Sequence, residues 1–265
     1  MTKAADAGPS KHINPSRHIL IGAPTYDGTR YNSLSLVRVF RSPPEDTLIN
    51  LLEVGGSVLT YSFNSVWAAA LTFRDPAQCA VPVTHFLLWH ADIVPVEEGW
   101  LAAMLAEMER VDADVLSAVV PIKNIQGMTS TARDTDQWNP LRYSTTEIHA
   151  KKELTWTEPD LLVNTGLMLV NLRNPKFEQI VFTMKDRIAK NADGVYKPYF
   201  SPEDWNFSRQ CRALGIPVWA TKAIRLRHMG LSGYPSDEVW GYPTDTAYRA
   251  SEGQPARMPD LLPKE

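Results

Sequence analysis

The sequence is poor in features that mark whole classes of protein. It has two cysteines, Cys79 and Cys211, in 265 residues. That is too few for a disulfide framework, and they lack the close spacing of a thiolate metal site. They read as buried free thiols of a reducing compartment. No run approaches about 18 consecutive apolar residues, so the sequence predicts no membrane insertion. Residues 1–18 carry Lys3, Lys11 and Arg17 but no apolar stretch of signal-peptide length, which points to a cytoplasmic protein. A basic excess is also missing. Lys and Arg number 27 against 30 Asp and Glu, a net charge of −3, which leaves nucleic acid only a local site. The signatures G-x-x-x-x-G-K-[ST], G-x-G-x-x-G, H-E-x-x-H and G-x-S-x-G do not occur, and Gly230-Leu231-Ser232-Gly233 has the wrong spacing for the last.

What is present is a globular composition, 44% hydrophobic and 22% charged, in a length that suits one α/β domain. Apolar runs at 18–23, 48–54, 84–89 and 114–120 read as strands, the first of them buried. Between them, residues 31–41 and 57–73 have helical spacing. Trp100, Leu101, Met104, Leu105 and Met108 form one face of a third helix, with Glu97 and Glu98 expected in its first turn. Residues 124–160 show no period and read as a loop-rich insertion. Residues 161–170 resume a strand across the polar pair Asn164-Thr165. Asn174-Pro175 opens a predicted helix bearing Phe177, Ile180, Val181, Met184 and Ile188. Ser201-Pro202-Glu203-Asp204 opens another, running to Leu214, and short strands follow at 218–220 and 224–227. The expected organisation is a flexible 1–17, a domain at 18–230, and an irregular tail at 231–265, where Tyr234, Trp240 and Tyr242 suggest a lid. Strands alternating with helices predict a mostly parallel, Rossmann-like sheet flanked by helices, with ligands at the carboxyl ends of the strands. Residues 22–27, His90–Asp92 and Lys123 fall at such ends.

Four constellations could carry chemistry. His90-Ala91-Asp92 puts an imidazole and a carboxylate within reach of one divalent ion, a mixed set that suits manganese better than magnesium; the bland alternative is a helix-capping Asp and a hydrogen-bonded His. Glu203-Asp204 is a base candidate at a helix start, although Ser201 at the N-cap, Pro202 at N1 and an acid at N3 also make a capping box. Arg225 and Arg227 alternate on one strand face, fit to neutralise a diphosphate, with His228 a further ligand; a solvated edge is the alternative. Asn164-Thr165-Gly166 places polar groups in an apolar run, where they need partners, and Gly166 admits a close approach; a β-bulge would also explain it.

The ordered set ILIGAPTYDG (19–28), THFLLWHADIVP (84–95), VVPIKN (119–124), LVNTGLMLVNL (162–172), SPEDWNFSRQCRALGIPVWA (201–220) and IRLRHMG (224–230) resembles the family-2-like glycosyltransferases of the GT-A fold, particularly the small bacteriophage type. The resemblance implies sugar transfer from a nucleoside-diphosphate sugar, with UDP favoured, to an acceptor hydroxyl. Thr25, Tyr26 and Asp27 would meet base and ribose. Asn64 stands where the family often has an Arg-Asn pair, with Phe63 replacing the Arg. Asp92 would be the main ligand of Mn2+ (or Mg2+), His90 departs from the family's first Asp, and His228 matches its late His. Lys123 and Asn164 would lie near sugar or phosphates. Asp204, beside Glu203, would be the base of an inverting reaction, and Trp205 would shape the pocket. The acceptor stays open between a modified DNA base, a glycan and a protein, as does the oligomeric state, and a phage origin would place the protein in host cytoplasm. A retaining transferase and a non-catalytic nucleotide- or sugar-binding protein are the alternatives. A nucleotidyltransferase fits poorly, because Gly22-Ala23-Pro24 is no Gly-rich phosphate loop.

Overall fold

A computed structural model describes residues 15–26, 28–230 and 233–241. The expected loose lead-in at 1–14, Asp27, Tyr242 and the tail beyond 241 lie outside the described residues.

The chain opens with β1 (Arg17–Thr25), α1 (Ser33–Arg41), β2 (Thr47–Gly55), α2 (Leu59–Phe73) and β3 (His85–Trp89). It continues through β4 (Ile93–Pro95), α3 (Trp100–Arg110) and β5 (Val115–Ala118). Next come β6 (Met128–Arg133), β7 (Leu141–Ser144), α4 (Thr145–Ala150), β8 (Thr155–Trp156), β9 (Leu161–Leu162) and β10 (Leu167–Asn171). The last part holds β11 (Lys185–Lys190), β12 (Tyr196–Ser201), α5 (Glu203–Ala213), β13 (Val218–Thr221), β14 (Leu226–Met229) and β15 (Gly233–Pro235). Seven strands form the main sheet in the order β2-β1-β3-β10-β5-β13-β8. β1, β2 and β3 run parallel, as do β5 and β13, whereas β10 opposes both of its neighbours and β8 opposes β13. The predicted α/β class, a mostly parallel sheet flanked by helices, is therefore what forms.

The period of two sorts the core onto the two faces of this sheet. Leu20, Phe86 and Leu88 join Phe63, Trp67, Phe177 and Phe207 beneath α2 and α5. Ile19, Ile21, Leu87 and Trp89 join Trp100, Met104 and Met108 of α3 on the other side. Each large side chain so buried contributes about 1.5–3 kcal/mol. Gly22 is what lets α2 sit so close: a Cβ there would lie 2.6 Å from the Phe86 ring and 2.9 Å from Val66.

Several expectations are corrected. Glu97 and Glu98 precede α3, which starts after Gly99 in the left-handed region (φ 75). Residues 124–160 are ordered: β7, β6 and β9 form a three-stranded sheet, and Ser144 with Glu147 makes a capping box for α4. The helix expected after Asn174 is a single 3-10 turn, Pro175–Gln179, followed by extended chain. Its apolar residues alternate, Ile180 and Phe182 buried and Val181 exposed, because α2 takes up that backbone. Asn64 bonds both the N–H and the carbonyl of Phe182, and Trp67 Nε1 donates to Ile180 O. Ser201 is not the N-cap of α5, since Pro202 is; its hydroxyl donates to Asn206 and accepts from Arg209. The part of the expected irregular tail that is described, 233–241, includes β15 paired with β14, which also pairs with β4.

Candidate active site

β3 ends in the turn His90-Ala91-Asp92, pinned from three sides. His90 N donates to Gly166 O (2.8 Å). Ala91 O accepts from the N–H groups of Tyr31 and Asn32, and Asn32 Nδ2 donates to His90 O. Met229 N donates to Asp92 O, which ties in β14. A cleft of about 370 Å³ opens at these strand ends, lined by Thr25, Tyr26, Tyr31, Ser57, His90 and Asp92 among others. It therefore gathers four of the residues singled out from sequence.

Asp92 is the electrostatic centre. Its Oδ2 meets Lys123 Nζ at 2.7 Å and His228 Nε2 at 3.2 Å. Burial would raise this carboxyl, but the hydrogen bond and charge of His228, then Lys123, outweigh it and hold the group well below the usual carboxylate range. His228 Nδ1 donates to Pro121 O (2.7 Å), which orients the ring so that Nε2 faces Asp92. His90 packs on Phe63 at 4.9 Å between centroids. Burial, with help from His228 and Lys123 against the pull of Asp92, lowers its pKa to about 4, so the imidazole is neutral. Its Nε2 is buried without a hydrogen-bond partner among the described residues, as are Asn32 Oδ1 and Thr165 Oγ1. Buried polar atoms are rarely left so, and an unpartnered group marks a place where water, an ion or a ligand is expected.

A short relay joins this turn to the acidic pair. Gly166 N donates to Asn164 Oδ1, and Asn164 Nδ2 donates to Asp204 Oδ2 (3.1 Å). The carbonyl of Asn164 accepts from Ser117 Oγ. The polar interruption in the apolar run is thus a paired device. Glu203 and Asp204 are both buried at 7% exposure. Asp204 Oδ1 accepts from Trp205 N (2.7 Å). Burial first, and then the adjacent Glu203, push the Asp204 carboxyl up to about 8; Trp205 N–H, Arg142 and Asn164 pull against that rise. Glu203 is raised as well, by burial. A carboxyl raised this far is a proton acceptor matched to mildly alkaline pH.

The remaining expected site residues are dispersed. Asn64 spends its whole amide on Phe182 and is a clamp for the chain after the 3-10 turn. Trp205 is 1% exposed, donates to Ser130 O and packs with Ala132 and Leu162; it is a core pillar under Asp204, because α5 is inserted between the main sheet and the β7-β6-β9 sheet. Arg225 is held by Glu97 (Nε–Oε1 2.8 Å) and Asp237. Alternation turns Arg227, which is exposed, to the strand face opposite His228. Thr25 Oγ1 accepts from Gly28 N, and Tyr26 stands 77% exposed at the cleft mouth. Of the expected lid, Tyr234 and Trp240 pack on each other, and Trp240 Nε1 donates to Pro235 O. Sequence reasoning missed Arg142. Its guanidinium lies 4.7 Å from the Trp205 ring centroid and faces the Asp204 charge, but it sits in a stretch without period and gave no signal.

No protein-family model matches the chain, and no curated protein does. Among solved structures, the A197 protein from STIV is 15% identical over 86% of this chain and 95% of its own, with a TM-score of 0.50; that likeness is one of fold. A protein described as a glucose-1-phosphate thymidylyltransferase from Bacillus anthracis, in complex with a sucrose, matches more loosely, at 6% identity over 61% of this chain and 73% of its own, with a TM-score of 0.31. No helix among the described residues is long and apolar enough to cross a membrane.

Proposed function

We propose that the protein is a glycosyltransferase of GT-A type that moves a sugar from a nucleoside-diphosphate sugar, UDP favoured, to an acceptor hydroxyl by inversion. The observation that carries this reading is the path from the His90-Ala91-Asp92 turn at the cleft, through Gly166 and Asn164, to the buried Asp204, whose raised carboxyl is a strong proton acceptor once ionised. One end suits a leaving diphosphate and the other suits a hydroxyl that must lose its proton.

The donor set fits a divalent ion. Asp92 Oδ2 and His228 Nε2 are 3.2 Å apart, and the His228 ring is oriented from behind by Pro121 O; His90, its Nε2 buried beside Phe63, does not join them. Among the described residues no group of three or more His, Cys, Asp or Glu surrounds one point, so phosphate oxygens would complete the shell, as is usual for Mg2+ and also suits Mn2+ with an imidazole ligand. Such an ion, when bound, stabilises negative charge growing on the leaving phosphate. Lys123 adds a cation at the same place and loses its own partner to the incoming donor. Thr25 and Tyr26 border the cleft where a nucleoside would lie. Asn164 fixes one oxygen of Asp204 and leaves it to accept the hydroxyl proton, a contribution of roughly 10²–10⁴-fold.

The test is calorimetric titration with UDP and GDP, with manganese or with EDTA. Manganese-dependent binding of one nucleotide is expected. Donor hydrolysis or transfer then separates Asp204→Asn from the wild type. The variant should keep nucleotide affinity and lose transfer by about 10²-fold or more; near-full transfer in it would remove the assignment of the base.

A further inference from the structure

The β11–β12 hairpin has no role in the site just described. It stands apart as a two-stranded sheet whose outer edges pair with no other strand among the described residues. A ribbon of this kind is marginal on its own in water. Its two faces differ. On one, Arg187 lies 5.0 Å from the Trp138 ring centroid and 4.8 Å from that of Tyr199. Asp186, Ile188 and Lys190 share the other with Phe200, Pro198 and Tyr196, which lie directly across from them. That second face is open to solvent: Ile188 is 74%, Tyr196 66% and Phe200 45% exposed.

The backbone shows which edge is open. Asn191 N donates to Val195 O at the turn, and the register from there back to Lys185 and Ser201 has no shift. Hydrogen-bonded pairs alternate along an antiparallel ladder. Ala189 with Lys197, Arg187 with Tyr199 and Lys185 with Ser201 are therefore the bonded pairs. Ile188 with Pro198 is an unbonded one, as a proline without an N–H requires. Asp186, Ile188 and Lys190 accordingly point their N–H and C=O groups away from β12, along the outer edge of β11. The outer edge of β12 is interrupted by Pro198, which has no donor to offer.

We propose that the β11 edge pairs antiparallel with the same edge of a second copy of this chain, about a twofold axis at Ile188. In that register Ile188 meets the partner's Ile188, and Asp186 meets the partner's Lys190. These residues carry the outward N–H and C=O groups, so each pair closes backbone hydrogen bonds, and opposite charges stand across from each other. On the other face Arg187 meets the partner's Ala189 and Lys185 the partner's Asn191, so no like charges are directly opposed. A slip of one residue mismatches the outward groups and turns the side chains to the wrong face. A slip of two sets Arg187 against the partner's Arg187 in one direction and parts Asp186 from Lys190 in both. Edge charges that turn away foreign strands thus admit this one. The joined sheet ends at Pro198 on both sides, which makes a closed dimer and not a filament.

Sedimentation equilibrium of the full chain, from about 2 to about 200 µM, tests this. An edge contact buries little surface, so a Kd on the order of 10 µM is expected, with the mass approaching twice that of the monomer and stopping there. Asp186→Lys and Lys190→Asp should each weaken the dimer by about tenfold. The double exchange, Asp186→Lys with Lys190→Asp, should restore it to within about threefold of the wild type. Only pairing between copies allows that rescue, because the two residues lie about 13 Å apart along their own strand. Ile188→Pro deletes an outward N–H, spares the bonds to β12 and should abolish the dimer. Unchanged thermal unfolding would show each variant folded. A monomer across the whole range overturns the proposal and leaves this edge to a strand of another protein. So does a dimer that Ile188→Pro leaves intact, a double exchange that restores nothing, or a mass that keeps growing past the dimer.

Discussion

At the scale of single residues, the informative feature is a carboxyl held where it is costly. Asp204 is raised by burial and by Glu203, and Arg142 opposes that rise. Arg142 is kept in place by the Trp205 ring and by a bond from Nη1 to Thr129 O (3.3 Å). It is therefore a positioning and tuning residue for the Asp204 carboxyl, the proposed base. Arg142→Met keeps the stem over Trp205 and deletes the charge, so the Asp204 carboxyl should rise further. In a pH profile of kcat/KM, the limb set near about 8 in the wild type should move upward in the variant, with UDP affinity unchanged. A limb that stays put would separate Arg142 from the base.

At the scale of elements, the strands at 17–25 and 85–89 were legible because parallel buried strands are continuous apolar runs. The turn His90-Ala91-Asp92 was legible for the related reason that polar residues closing such a run stand at a ligand-binding edge. The failures have one cause, tertiary hydrogen bonding supplied by distant side chains. Phe177, Ile180 and Met184 have helical spacing, yet Asn64 and Trp67 satisfy the backbone there and favour an extended chain. Asn64 was assigned to a nucleotide by the family resemblance; its amide holds a segment 118 positions away. Asn64→Ala would leave the Phe182 N–H and carbonyl unpaired beside Phe207. It should cost about 2–4 kcal/mol, read as a lower urea midpoint, with UDP affinity retained; weakened UDP binding at unchanged stability would return Asn64 to the donor pocket. Trp205 failed in the same way, since nothing local tells a pocket aromatic from a pillar. Arg142 could not be found, because it reaches Asp204 only through the packing of α5 on the small sheet.

At the scale of the whole molecule, the site imposes a sign on stability. His85 is buried, and desolvation, then Arg17, lowers it to about 4 from 6.5. The unfolded chain therefore binds a proton there between about 4 and 6.5 that the folded chain does not, and stability rises with pH across that window. Asp204 has the opposite sign. Its folded carboxyl keeps a proton up to about 8 whereas the unfolded one loses it near 3.8, so stability falls as pH rises through that interval. His90, also lowered to about 4, acts with His85, and Glu203, raised by burial, acts with Asp204, so two histidines oppose two acids between 4 and 6.5. Above 6.5 the histidine contributions are complete and the acidic pair sets the slope, Asp204 itself accounting for a loss of about 1.4 kcal/mol per pH unit up to about 8. Urea midpoints measured from pH 5 to 9 should therefore be nearly level at first and then decline between 6.5 and 8. In Asp204→Asn the decline should shrink and the midpoint at pH 8 should exceed that of the wild type, which is the sign of a fold strained in favour of its chemistry. A decline that persists unchanged in the variant would show that Asp204 is already ionised in the folded protein and that another buried group sets the slope.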